Sequence, residues 1–174
     1  MKRSLFAFAL AGGLWAATAP HAETTPCDVQ LNIADQDPAG LNVRASPGGA
    51  VIAAVKAKNR WVQVEVTGQS GAWARIKSAT LYSDEDAGGT LLWKGSGWVA
   101  FSKLGIDHFD GRTRIRTAPS EDAKVLLSLE GYDDSTAPPA EAILGCDHYW
   151  LKVRVKGVVG WTNYYCSNEL TTCV

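Results

Sequence analysis

The chain has 174 residues, 46% hydrophobic and 20% charged, which is too apolar for a disordered polymer and long enough for one domain or two small ones. A formal net charge of −1 excludes the basic footprint of a nucleic-acid-binding protein. Seventeen glycines and seven tryptophans against one methionine imply many turns and an aromatic-rich core or surface.

Lys2 and Arg3 precede a short apolar run, Leu5 to Ala11, and small residues follow from Gly12 to Ala22. This order reads as a secretory signal peptide over residues 1–22. Cleavage after Ala22 is favoured, and Ala17-Thr18-Ala19 offers a cut after Ala19. The run is too short to anchor the chain in a bilayer, and Thr24-Thr25-Pro26 before Cys27 is no lipobox, so the mature chain is expected to be periplasmic or secreted with no membrane span. Without Lys2 and Arg3 the chain keeps 15 basic against 18 acidic residues, a net of −3.

Beyond the leader the chain repeats four blocks in the same order. Asn42-Val43-Arg44-Ala45-Ser46-Pro47 returns as Arg114-Ile115-Arg116-Thr117-Ala118-Pro119. The apolar strand Ala50–Val55 returns as Lys124–Leu129. Ala72-Trp73-Ala74-Arg75-Ile76-Lys77 returns as Tyr149-Trp150-Leu151-Lys152-Val153-Arg154, and Gly97-Trp98-Val99-Ala100 returns as Gly160-Trp161-Thr162-Asn163. The spacers differ: Trp73 and Trp98 are 25 residues apart, Trp150 and Trp161 only 11. The extra residues, 79–93, read as two strand arms around a turn at Asp84 to Gly89. The second copy instead lengthens the loop Glu130 to Ala140.

Trp61 to Thr67 alternates with period two, and so does Leu151 to Val155 before a turn at Lys156-Gly157. No segment carries a helical apolar stripe of useful length. Short strands at regular spacing predict an all-β protein.

With the leader read as an export signal, Cys27, Cys146, Cys166 and Cys173 are read as disulfides rather than as metal ligands. Zinc on Cys146, His148 and Cys166 would lack the paired CxxC spacing. Four cysteines allow three pairings. Cys146 and Cys166 lie just outside the ends of a hairpin centred near Gly157, so a Cys146–Cys166 bond is expected, with Cys27–Cys173 tying the termini.

The motif Leu41-Asn42-Val43-Arg44-Ala45-Ser46-Pro47, a Trp-led strand and then Gly97-Trp98-Val99 resembles the bacterial SH3-like (SH3b) domain. The second copy departs from the opening motif but keeps Trp150 and Gly160-Trp161. The resemblance covers nearly all of residues 28–170. It implies two small SH3-like half-open β-barrels in tandem, 27–104 and 105–174, each of five strands. It also implies a non-catalytic role in recognising peptidoglycan peptide or glycan.

Strand parity selects candidate ligand residues. Leu151, Val153 and Val155 share one face, which leaves Trp150, Lys152 and Arg154 on a face expected to meet water. Likewise Ala74 and Ile76 point inward, and Trp73, Arg75 and Lys77 outward. Trp61 joins Gln63 and Glu65, away from Val62, Val64 and Val66. The resemblance places Trp73 and Trp150 at the groove tryptophan of such folds, and Trp98 and Trp161 at its second aromatic. A tryptophan offers wide contact area and a polar N–H, which suits a sugar or peptide. A structural role, closing the barrel or the interface between copies, is the competing reading, weightier for Trp98 and Trp161 than for Trp73 and Trp150. Asp133 and Asp134 could meet an amine. Arg44 and Arg116 are read as turn fasteners that bond carbonyls, ahead of recognition of a ligand carboxylate.

No Gly-x-Ser-x-Gly, His-Glu-x-x-His or phosphate loop occurs, and no nucleophile–base pair is evident around His108 or His148. The expectation is therefore a non-enzymatic envelope-binding module without cofactor or metal. Its partner would be a peptidoglycan fragment, or alternatively an envelope protein engaged as an adaptor or regulator through the arm carrying Tyr82 and Trp93.

Overall fold

The computed structural model describes residues 24–167, apart from 58–59 and 84–85. The expected signal peptide and Cys173 lie outside the described residues. The described chain is all β apart from one 3-10 turn, Phe101–Lys103. Its strands in chain order are β1 (Thr25–Ile33), β2 (Leu41–Arg44), β3 (Val51–Val55), β4 (Trp61–Ser70), β5 (Trp73–Ser83), β6 (Asp86–Ala100) and β7 (Leu104–Gly105), then β8 (Arg114–Arg116), β9 (Val125–Ser128), β10 (Ala142–Asp147), β11 (Trp150–Val155) and β12 (Val158–Thr162). They form a curled seven-stranded half-barrel, ordered β3-β2-β6-β5-β4-β1-β7, and a five-stranded sheet, ordered β10-β11-β12-β8-β9.

Alternating sequence builds these strands. Val62, Val64 and Val66 of β4 are buried, Glu65 is half-buried and Trp61 is exposed. Ala74 and Ile76 of β5 and Leu151, Val153 and Val155 of β11 are likewise buried. Gln63 breaks the pattern: it is 3% exposed on the polar side, where its Nε2 donates to Ser167 Oγ at 3.1 Å. The amide is covered by the C-terminal segment and keeps a partner, which burial requires. Lys156 and Gly157 both have positive φ, 49° and 75°, between the paired Val155 and Val158. That is the type I′ geometry of a two-residue hairpin.

The repeat in the sequence is a repeat in topology. If β2, β3, β4, β5 and β6 are matched with β8, β9, β10, β11 and β12, both sheets read in the same order; the first adds β1 and β7 at one edge. Register repeats as well. Arg44 sits opposite Trp98, as Arg116 sits opposite Trp161. Both arginines fasten the turn after their strand: Arg44 Nη1 donates to Gly49 O at 2.7 Å and Arg116 Nη1 to Ala123 O at 2.9 Å.

The glycine before each of those tryptophans has a steric reason. A Cβ on Gly97 would stand 2.3 Å from Val43 Cγ1, and one on Gly160 2.5 Å from the Arg116 carbonyl oxygen and 2.6 Å from Ile115 Cγ2. Val43 and Ile115 are the matching core residues of β2 and β8, each fully buried. Only a missing side chain lets these strands carry a β-branched residue into the core at that point.

The two sheets share one hydrophobic cluster. β1 is the strand that joins them, since it pairs with β4 and β7 and also meets the β10–β11 hairpin. Asp28 N–H donates to His148 O, and His148 N–H to Pro26 O, both at 2.8 Å. A disulfide links Cys27 to Cys146 within this contact. It excludes both expected pairs, Cys146–Cys166 and Cys27–Cys173. Nearness along one hairpin was the wrong guide, because docking of β1 from the other half carries Cys27 to Cys146 across 119 residues. Cys166 is also disulfide-bonded. By chain entropy, a loop that long makes the Cys27–Cys146 bond worth about 5 kcal/mol. At the sheet's edge, β7 pairs Gly105 with Asn32 of β1.

Two outcomes are expected. Non-reducing peptide mapping returns a cross-linked peptide holding Cys27 and Cys146. Gly97→Ala and Gly160→Ala each lower the unfolding free energy by about 1–3 kcal/mol in urea melts, through overpacking; unchanged melts would show that Val43 and Ile115 have room to yield.

Candidate ligand-binding face

The expected groove residues of the first unit converge. On the face of β2–β6–β5 opposite the core, Arg44, Trp98 and Arg75 stand side by side in register. Trp73, two residues before Arg75 on β5, shares that face and is half-buried. The Arg44 guanidinium carbon lies 5.8 Å from the centre of the Trp73 ring, within cation–π range. Among the described residues the Arg75 guanidinium makes no ion pair, so its planar donor fork is available to a carboxylate.

The second unit repeats the row as Arg116, Trp161 and Lys152. Lys152 Nζ lies 5.7 Å from the Trp161 ring centre. Here the arginine is more fully engaged, because Arg116 Nη2 also donates to Glu121 at 3.2 Å. Asn163 Nδ2 binds the other oxygen of Glu121 at 2.5 Å. This row is closed by its own hydrogen bonds, whereas the first is left open at Arg75.

Trp150 departs from expectation. Parity is right, since Leu151 faces the core, but Trp150 is only 4% exposed. It heads β11 at the hairpin end onto which β1 docks, so its outer side meets protein instead of water. Its neighbour Tyr149, with ring centres 6.1 Å apart, carries the exposure in its place at 60%. The same junction explains Tyr165: burial first, and the negative charge of Asp28 second, push its phenol far above the ordinary range.

Trp61 is 50% exposed, as parity indicates, but it is not part of the Trp73 face. It pairs with Tyr82 at one end of the β4–β5 hairpin, while Trp73 pairs with Ser70 at the other. Nine residues of strand separate the two ends, roughly 30 Å. Trp93 of the inserted arm turns inward and packs beside Gly95 and Gly97, and Leu91 on the same strand is exposed at 54%.

Asp133 is occupied by its own loop. Its Oδ1 accepts from the backbone and hydroxyl of both Thr136 and Ser135, at 2.7 to 3.0 Å. Those bonds, Thr136's first, hold its carboxyl below the usual carboxylate range. Asp134 accepts from Ser135 N–H at 3.0 Å. Asp107, His108 and Cys166 cluster with ligand atoms within 4.8 Å of one another, but the sulfur of Cys166 is oxidised and offers no thiolate. The same holds for Cys146 beside His148.

Sequence reading missed a second concave surface, on the polar side of β1, β4, β5 and the arm, lined by Gln30, Glu65, Ser78, Thr80, Tyr82 and Lys94 among others. The signal was the shared parity of Trp61, Gln63 and Glu65; the register that brings the arm beside them was not legible.

Comparison with known proteins finds no match to a family model, a curated protein or a solved structure.

The burial difference gives a direct check. Trp150→Ala should cost about 3–5 kcal/mol of stability, and Trp73→Ala only about 1 kcal/mol, near the worth of its cation–π contact. Equal losses in chemical denaturation would contradict the two placements.

Proposed function

We propose that this chain is an exported, non-catalytic binding protein built from two SH3-like units of the bacterial SH3b kind, acting in the periplasm or outside the cell. Matching strand order in both sheets, and Arg and Gly-Trp elements at matching register, support this reading. Its role is to hold a cell-wall ligand, a peptidoglycan peptide or glycan, on the first unit. The observation that carries this is the open row Arg44, Trp98 and Arg75 with Trp73 half-exposed beside it. An indole stacks on a sugar or peptide plane while a guanidinium pairs with a stem carboxylate. The second unit is read as support, with Trp150 buried and Arg116 engaged. Catalysis is not proposed, since both sulfur atoms near the histidines, those of Cys146 and Cys166, are oxidised.

A second reading, an adaptor for an envelope protein, is favoured by one feature. Leu91 and Leu92 expose apolar surface on the arm, at 54% and 37%. Leu91→Asp with Leu92→Asp would remove a protein partner and leave wall retention intact.

Pull-down on purified sacculi tests the main reading. The wild-type chain is expected to be retained and released by salt. Arg75→Ala, a change with little cost to the fold, and Trp73→Ala should each cut retention about tenfold, the loss of one charge-assisted or stacking contact. No retention of wild type, or full retention by both variants, would sink the proposal.

A further inference from the structure

The inserted arm of the first unit helps to build a cleft. On the polar side of the first sheet, residues fall into register rows. Gln30, Glu65, Ser78 and Lys94 form one row across β1, β4, β5 and β6. Gln63, Thr80 and Leu91 form the next, and Tyr82 follows beyond Thr80. These side chains line an open cleft of about 260 Å³.

Its polarity is ordered. Glu65 supplies negative charge at one side and Lys94 positive charge at the other, with Ser78 between them in register. At about 4.8 Å per strand spacing, their backbones stand roughly 10 Å apart. Glu65 accepts from Ser78 Oγ at 2.6 Å and meets Lys77 Nζ at 3.4 Å, a pair with both side chains well exposed and therefore weak. Lys94 has no ion-pair partner among the described residues. The far end is apolar, formed by Tyr82 and Leu91. Gly89 lies under Tyr82 with φ +76°; a Cβ there would strike the Tyr82 ring at 2.7 Å and the Thr80 methyl at 2.6 Å. A bare glycine lets both side chains settle into the wall.

We propose that this cleft is a binding site for a short zwitterion, a dipeptide with free ends. Its ammonium sits on Glu65, its carboxylate on Lys94, its amide over Ser78 and Thr80, and a small side chain against Tyr82 and Leu91. Two residues span about 7 Å, which fits the gap once both charged side chains lean inward. A neutral sugar or a lone cation would leave Lys94 without a counter-charge, and a lone anion would leave Glu65 only the weak, exposed Lys77 pair. The site does not depend on the Trp73 face.

Titration of the isotope-labelled full chain with alanyl-alanine, in its L,L and D,D forms, tests this by chemical-shift mapping. Saturable shifts at Ser78, Thr80 and Lys94 are expected, with a dissociation constant near millimolar for so small a ligand. Acetylating the amine or amidating the carboxylate should weaken binding about tenfold, as should Glu65→Gln or Lys94→Gln in chains whose spectra stay folded. Trp73→Ala should leave it unchanged, which separates this site from the wall-binding face. No shifts in the cleft up to about 10 mM, or equal binding of the capped forms, or wild-type binding by both charge variants, would overturn the proposal.

Discussion

The contact between β1 and the β10–β11 hairpin sets the terms for the rest of the molecule. One short parallel contact, centred on Cys27 and His148, fixes the first half of the chain to the second through two backbone hydrogen bonds and the Cys27–Cys146 disulfide. Beside it Cys146 N–H donates to Gln69 Oε1 at 2.8 Å, so a side chain of one sheet bonds a strand of the other. The consequence is one core shared by two sheets. A unit of about 70 residues buries too little surface to be robust by itself, and joining two removes exposed area from both.

That junction also divides labour between two similar units. Each uses an arginine to fasten a turn, a glycine to let an apolar residue through, and a tryptophan beside them. In the second unit the strand end bearing Trp150 lies at the junction, and Glu121 engages Arg116. In the first unit, Trp73 and Arg75 are only partly buried, and the longer β5–β6 hairpin adds a polar face. Duplicated backbones thus present unlike surfaces, because one copy spends its outer face on contact with the other and on internal hydrogen bonds.

Most of the fold was legible. Period-two alternation located β4, β5 and β11 and the faces of their residues, Trp61 and Trp73 included. The repeated blocks foretold matching strand order, and Lys156-Gly157 foretold its turn. The candidate site was legible only in part. Trp73 and Trp98 lie on one face of neighbouring strands, but Trp61 stands at the far end of the hairpin and Trp150 is covered. Parity tells which side of a strand a residue takes. It cannot tell whether that side faces water or another sheet.

The sequence alone determined the all-β character, the twofold repeat and the inward set of valines, isoleucines and leucines, because these follow from local periodicity and from solvent's exclusion of apolar groups. Tertiary structure decided the rest. Which sulfur atoms meet, which tryptophans stay exposed, and that Glu65 and Lys94 flank one cleft all depend on register between strands distant in sequence. Such pairings are chosen by the packing of the whole chain, so no local pattern encodes them.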